Sequence, residues 1–490
     1  TQLKMIALNG DTWLTDELQL AGNLYLRRNE ISTFNGDDTD FEACEDPANA
    51  GFLCEEEGDE EEIVEDLNGN NVTATINGEE PDATNNRSKT ETDALGGALQ
   101  LALENEVAGR DNLLVGGISF DRAETDFAMD TELAELTDTR GTEGLGVYVD
   151  EARVRLHTEV QHYGLYVTDT LSVSDNLTAT LSGRYNYSRI VMEDNYGTEL
   201  NGVHSFSRFN PAAGLTYTLS DSTTVYGSYS ESSRAPTPVE LSCADPEDPC
   251  KLPNAFISDP PLAQVVAKSY EVGVRGAHQG WNWTLGLFHT VNHNDILFIN
   301  GGNLTSEGYF DNVGRTRRQG LEAAFAKQVG DWAFSGSYTL LDATFQTGFI
   351  ANSPNNPAAN ADSQITVEKG DRIPSLPRHN LKLATRWQAT NALQVGADVQ
   401  YNSSQYFRGD EANLNDQLAG YTVANVHATY AVAPSVELFA RVENLFDRDY
   451  ETFALFGESD EVLEDLGIDD ANFVGPGKPR TATIGIRAKF

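Results

Sequence analysis

The most constraining feature of this sequence is its last ten residues, in which small or apolar side chains alternate strictly with polar ones. One set consists of Ala482, Ile484, Ile486, Ala488 and Phe490. The other set consists of Thr481, Thr483, Gly485, Arg487 and Lys489. A period of two is that of a β-strand with two chemically different faces. A soluble sheet on a core and a membrane-spanning strand both satisfy this pattern, so the rest of the sequence has to decide between them.

The same alternation recurs in about 17 segments, and the connections between them fall into two classes. Short connections lie near residues 15–16, 104–111, 174–176, 220–222, 278–280, 329–331, 389–391 and 433–435. Long polar stretches lie near residues 37–88, 127–150, 193–203, 232–264, 293–308, 344–374, 404–419 and 450–478. This regular exchange of short turns and long loops, without segments of helical period, is typical of an outer-membrane barrel. The sequence therefore predicts an all-β fold, a transmembrane antiparallel β-barrel.

Charge and composition narrow the class of partner. The net charge is −43, from 76 acidic and 33 basic residues, which argues against nucleic acid and against an anionic membrane surface as partners. No apolar stretch reaches the length of about 18 residues that a spanning helix needs. A spanning strand does not need one, because only every second residue faces lipid.

The four cysteines form two local pairs, Cys44 with Cys54 and Cys243 with Cys250, each within a polar segment. Local pairs in exposed loops predict two disulfides formed in an oxidising compartment. Metal binding is the alternative, but neither pair has the spacing of about two to four residues found in zinc sites.

Aromatic residues near the segment ends are candidates for the belts that such barrels place at the two membrane surfaces. Those singled out by position are Tyr163, Tyr166, Trp332 and Tyr401. Each is also a good strand former on its own account.

The closing segment resembles that of TonB-dependent outer-membrane receptors. It contains Val-Glu-Asn-Leu-Phe-Asp-Arg-Asp-Tyr at 442–450, Gly-Pro-Gly-Lys-Pro-Arg at 475–480 and the terminal Phe490. Residues 209–217 and 224–236 look like the central barrel box of the family, and residues 268–275 and 314–322 are similar to its later strands. The resemblance implies a bacterial outer-membrane location, a periplasmic C-terminus and an assembly signal at Phe490.

The resemblance also implies a larger protein. Receptors of this family have about 22 strands around a plug, whereas about 17 are counted here. We therefore expect residues 1–490 to be the C-terminal part of the barrel, with about five strands and the plug upstream of Thr1 or supplied by a second chain. The plug would carry the contact with TonB.

Ligand contacts are predicted at the extracellular mouth. Arg234 ends the central box, and its planar guanidinium suits an anionic ligand such as a carboxylate or a ferric chelate. The alternative is an ion pair with Glu231 or Glu240. The candidate ligand-binding residues are Arg234, Glu231, Lys251 and Asn254.

The segment from residue 37 to residue 66 carries 15 Asp and Glu residues and no Lys or Arg. The simplest interpretation is a solvated, partly disordered surface loop. Binding of calcium, bridging of lipopolysaccharide or attraction of a cationic ligand are the functional alternatives. The segment lacks the ligand order of a calcium loop.

No arrangement of catalytic residues, metal ligands or cofactor-binding residues emerges from the sequence. His289 and His293 lie on one face of a predicted strand, but about 13 Å apart. The leading hypothesis is therefore a receptor that binds a scarce nutrient, most commonly a ferric siderophore in this family, and imports it by TonB-dependent active transport. The alternative is a surface binding or structural assembly protein, built on a barrel fragment paired with another chain.

Overall fold

The alternating segments of the sequence form strands in the structure, a computed structural model. It describes residues 1–39, 41–57, 60–139, 141–244, 250–251, 262–300, 307–457 and 470–489. Within these ranges one helix is present, α1 (Pro238–Leu241), and it is too short to cross a membrane.

Seventeen of the strands are 8 to 27 residues long and form one sheet. They are β1 (Gln2–Trp13), β2 (Leu18–Asp38), β6 (Ala83–Val107), β7 (Arg110–Leu136), β9 (Val154–Ser174), β10 (Leu177–Asp194), β11 (Gly202–Ser220), β12 (Thr223–Arg234), β14 (Val265–His278), β15 (Trp281–His293), β18 (Arg315–Val329), β19 (Trp332–Phe345), β22 (His379–Gln388), β23 (Leu393–Asn402), β24 (Tyr421–Ala433), β25 (Val436–Glu443) and β28 (Thr481–Ala488). The predicted number of about 17 spanning segments is confirmed.

The remaining strands belong to the long connections. They are β3 (Glu42–Ala43), β4 (Leu53–Glu57), β5 (Glu60–Ile63), β8 (Thr142–Tyr148), β13 (Cys250–Lys251), β16 (Ile296–Asn300), β17 (Glu307–Asn312), β20 (Phe349–Asn352), β21 (Gln364–Val367), β26 (Glu451–Phe456) and β27 (Asn472–Pro476). Of these, β8 extends the large sheet by pairing with the end of β7.

The seventeen long strands follow one another in a simple meander, each pairing antiparallel with the next along the chain. Eight tight turns join them at one end of the sheet and eight long connections at the other. Both sets lie where the sequence predicted them. Strand length is uneven, because β6 and β7 have 25 and 27 residues whereas β22 and β23 have 10 each.

One face of the sheet, called here the apolar face, carries large exposed hydrophobic side chains. The register brings such residues together in rows, as where Leu287 of β15 lies between Val272 of β14 and Leu321 of β18. Register shifts between the long strands fall only beside tight turns, so the rows continue from strand to strand. Exposed members of this face include Leu24, Leu95, Ile118, Leu165, Leu181, Phe209, Leu215, Val272, Leu287, Phe325, Trp332, Leu383, Val399, Tyr401, Leu438, Ile484 and Ile486.

The opposite face, called here the polar face, carries paired polar groups. The Tyr25 hydroxyl donates to Asp121 at 2.7 Å, and Arg487 contacts Glu437 at 3.1 Å. Arg487 therefore lies opposite Ile484 and Ile486, as predicted. Phe490 lies outside the described residues.

Tyr166 was wrongly grouped with the interfacial aromatics. Its hydroxyl donates to Gln100 on the polar face at 2.8 Å, whereas Tyr163 belongs to the apolar face and is 45% exposed. The two residues are three positions apart, and an odd separation along a strand places side chains on opposite faces.

The acidic segment is more ordered than the sequence suggested. Strands β3, β4 and β5 form a small sheet, and Cys44 is bonded to Cys54 as predicted. Its apolar residues pack with the end of β7 and the following connection into a core formed by Phe41, Leu53, Val64, Val72, Ile76, Leu133 and Val149. Burial of these side chains opposes the repulsion among the carboxylates of the segment.

The second cysteine pair stays a prediction. Cys243 is buried and disulfide-bonded. The side chain of Cys250 is outside the described part of the chain.

Helix α1 begins with a capping box that also fixes Arg234. Thr237 accepts a hydrogen bond from the backbone N–H of Glu240 at 3.2 Å, and the Glu240 carboxylate accepts from the backbone N–H of Thr237 at 2.7 Å. The same carboxylate contacts Arg234 at 2.6 Å. Burial opposes ionisation of Glu240, but the bonds from Arg234 and Thr237 outweigh it and lower its pKa. The alternative predicted for Arg234, an ion pair with Glu240, is thus realised.

The lipid-facing assignment of the apolar face predicts unequal effects of arginine at two adjacent positions of β28. Ile484→Arg should cost about 2 to 4 kcal/mol of folding free energy if residue 484 lies near the bilayer midplane. Thr483→Arg, on the polar face, should cost much less. Equilibrium unfolding in lipid vesicles measures both changes, and a larger loss for Thr483→Arg would place lipid on the opposite face.

The lowered pKa of Glu240 predicts a pH-dependent helix start. A carboxyl group whose folded pKa lies below its unfolded value stabilises the structure above the unfolded pKa, and this stability is lost as pH falls through the folded pKa. We expect the protection of the Leu241 amide, expressed as its exchange rate relative to an unfolded peptide at the same pH, to fall on acidification. Glu240→Gln keeps a capping group but lacks the charge, so protection in this variant should be independent of pH in that range; the same fall in both proteins would contradict the assignment.

Candidate functional site

A cavity of about 500 Å³ opens on the polar face, near the end of the sheet that carries the long connections. Its wall comes from β7, β9, β10 and β11, and its rim from the segment that leads from β12 into α1. The polar side chains that line it include Asp121, His162, Arg184, Asn186, Arg234 and Gln264. Alternation along β9 and β10 is what directs these groups inward, because their neighbours in sequence belong to the apolar face.

Arg184 is the central cation of the cavity wall. Its guanidinium donates to Asn186 Oδ1 at 2.7 Å and to Ser119 Oγ at 3.0 Å, and it lies 5.5 Å from the ring centre of Tyr166. Within the described ranges it forms no ion pair, since its partners are an amide, a hydroxyl and an aromatic ring. Its orientation is therefore fixed while its charge is not neutralised by a contacting carboxylate.

Arg234 supplies a second cation at the rim of the same cavity. The contact with Glu240 neutralises part of its charge, but the side chain remains 47% exposed. His162 also lines the cavity, with Nδ1 2.8 Å from Ser188 Oγ. The cavity thus combines two guanidiniums, one of them partly neutralised by Glu240, with the Asp121 carboxylate and several neutral hydrogen-bonding groups. The guanidiniums outnumber the lining carboxylate, which suits an anionic ligand with several oxygen atoms.

An apolar cluster closes the space beside the cavity on the side of the long connections. Ile190 lines the cavity and belongs to this cluster, and Phe206 packs against it. The buried members of the cluster are Met129, Val154, Leu156, Ile190, Met192, Leu200, Leu241, Ala244, Leu262, Val265 and Ile296. The cavity therefore has an apolar boundary on the side of the long connections.

Of the four predicted ligand-binding residues, the structure places one in this cavity, Arg234. Glu231 lies on the other side of β12 and contacts Arg208 at 2.5 Å and Lys268 at 3.7 Å. Lys251 pairs through its backbone with Glu307, but its side chain lies outside the described residues, as does the whole of Asn254. For Lys251 and Asn254 the ligand-binding role stays a prediction.

Sequence reasoning missed Arg184, His162 and Asn186. Their inward direction could have been read from the alternation along β9 and β10. Their convergence could not, because it depends on the pairing of β9 with β10 in one particular register.

Comparisons with known proteins agree with this architecture. Residues 6–445 match the family model described as TonB dependent receptor-like, beta-barrel. A probable TonB-dependent siderophore receptor, PiuA of Acinetobacter baumannii, is 24% identical over 312 residues, which are 62% of this chain and 39% of that protein. The catecholate siderophore receptor Fiu of Escherichia coli is 27% identical over 169 residues, 34% of this chain and 20% of that receptor.

The fold comparison covers the whole chain. The crystal structure of the siderophore receptor PiuA from Acinetobacter baumannii superposes with a TM-score of 0.67 at 15% identity, over 100% of this chain and 64% of that one. The chain spans well under half the length of the two curated relatives it matches. Members of the matched family are outer-membrane transporters rather than enzymes. Because the family model matches most of the residues, the chain belongs to the TonB-dependent receptor β-barrel family.

Proposed function

We propose that the receptor built on this barrel binds a ferric siderophore and imports it into the periplasm by TonB-dependent active transport. The observation that carries the proposal is the cavity with Arg184 and Arg234, in a chain whose net charge is −43. Within the described part of the chain the guanidinium of Arg184 donates to neutral groups and contacts no carboxylate, so its charge favours an anionic ligand locally. The names of the two curated relatives support a siderophore as that ligand.

The proposal includes an orientation in the membrane. The eight tight turns and the C-terminus lie in the periplasm, and the eight long connections lie outside the cell, as is usual in outer-membrane barrels. The cavity then opens toward the medium, where a scarce ligand has to be captured. The two cations at its wall and rim increase the rate of encounter with an anion.

The test is a binding titration of the full-length receptor with defined ferric chelates. Suitable probes are ferric complexes of one catecholate, one hydroxamate and one citrate ligand, followed by quenching of tryptophan fluorescence. Loss of a hydrogen bond to a charged group costs about 1.5 to 3 kcal/mol, so Arg184→Gln should weaken the best chelate about 10- to 100-fold.

Arg275→Gln is the matched control. Arg275 also lies on the polar face and is 5.8 Å from the ring centre of Tyr226, but it does not line the cavity. We expect it to leave chelate affinity unchanged. Equal losses for both variants, or no quenching by any chelate, would refute the proposed site.

A further inference from the structure

The side of the sheet that carries the apolar face also carries charged residues beyond the apolar rows, toward the long connections. On β14, β15 and β18 the rows can be followed through an uninterrupted register. The row of Val272, Leu287 and Leu321 is followed by Tyr270, His289 and Gln319. The next two rows contain Lys268 with Arg317, and His293 with Arg315.

The last two of these rows form a basic patch, which lies beyond the apolar rows on the side of the long connections. Lys268 and Arg317 lie four positions along their strands from Val272 and Leu321, which is about 13 Å. The cations of the basic patch are Lys268, Arg315 and Arg317, and its carboxylates are Glu231 and Asp342, of which Glu231 also contacts Arg208 of β11.

The carboxylates do not neutralise the basic patch. Glu231 is shared between Arg208 and Lys268, and Asp342 contacts Arg317 at 3.0 Å. Arg315 is exposed and, within the part of the chain that the structure describes, has no ion-pair partner. Positive charge therefore remains on this surface, against the sign of the whole protein.

The same level on β2, β6, β7 and β9 provides an internal comparison. There three cations, Arg28, Lys89 and Arg122, contact five carboxylates, Glu30, Glu91, Asp93, Glu124 and Glu159. That sector carries no excess of positive charge. The basic patch is thus a local feature of β14–β18 and not a ring around the whole sheet.

We propose that the basic patch binds the phosphate groups of a phosphorylated glycolipid in the outer leaflet. In this arrangement the apolar rows would contact the acyl chains, and the cations would contact the phosphates. A soluble anion could bind the cations, but it would make no contact with the apolar rows. The proposal rests on the outer-membrane orientation given above, and it differs from the expectation, drawn from the net charge of the whole protein, that an anionic membrane surface is not a partner.

The experiment uses full-length receptor in dodecyl maltoside micelles, titrated with diphosphoryl lipid A and with the same lipid after removal of both phosphates. Each Lys or Arg near an anionic surface contributes a factor of about 5 in affinity. Lys268→Gln with Arg317→Gln should therefore weaken binding of diphosphoryl lipid A about 30-fold. Dephosphorylated lipid should bind the wild type more weakly than diphosphoryl lipid A binds this double variant, because the double variant retains Arg315.

Two further variants are included, one as an independent test of the basic patch and one as a control. Arg315→Gln removes a cation that holds no other side chain, so it should fold normally and lose about 5-fold even if the double variant does not fold. Lys89→Gln, in the sector without excess charge, should change affinity by less than about twofold.

Three results would overturn the proposal: unchanged binding by Arg315→Gln, equal loss with Lys89→Gln, or equal binding of both lipids by the wild type. Ferric chelate binding, measured on the same samples, should not change in any of these variants. If lipid binding fails while chelate binding is retained, the lipid-binding proposal is refuted and the proposed receptor function is not.

Discussion

The backbone ladder of the large sheet is the constraint on which the rest of the structure depends. In hydrocarbon an unpaired N–H or C=O has no water to bond, so a spanning strand must be paired along its length. The fifteen strands between β1 and β28 are paired on both edges. Because the register between long strands shifts only beside tight turns, each residue's face is determined throughout the wall. A slip of one residue in any pair would turn apolar rows toward the interior and arginines toward lipid.

The cavity is a consequence of that ladder. The cavity wall brings Arg184 and Asn186 of β10 close to Ser119 of β7. These side chains can meet because only one strand, β9, lies between β10 and β7. The partners of Arg184 are neutral, so they orient it without cancelling its charge. Arg234 is positioned differently, through a short helix whose capping carboxylate doubles as its ion-pair partner. The position of Arg184 therefore depends on the sheet, whereas the position of Arg234 depends on the connection between β12 and β14.

Local periodicity allowed much of the fold to be predicted. Strand number, the eight tight turns and the sides taken by Ile484 and Arg487 depend only on neighbours in sequence, which a period of two specifies. The same rule would have separated Glu231 from Arg234, since an odd separation along β12 sends their side chains to opposite faces. It could not have found Arg184, because convergence depends on which strands pair and in which register. The order within the acidic segment was missed because scattered apolar residues such as Leu53 and Val64 form a core only with Leu133, far away in sequence.

The uneven strand lengths divide the mouth of the protein into two mechanically different halves. Strands of about ten residues are enough to cross a bilayer, so much of β6 and β7 extends beyond it as a hydrogen-bonded wall. Strands β22 and β23 stop after 10 residues. The connections that continue from this part of the sheet are held by the short ladder of β20 with β21, by scattered backbone hydrogen bonds and by an apolar core that includes Phe345 and Val367. Beyond the bilayer, one side of the protein is therefore held together by a continuous backbone ladder and the other mainly by the packing of side chains between connections.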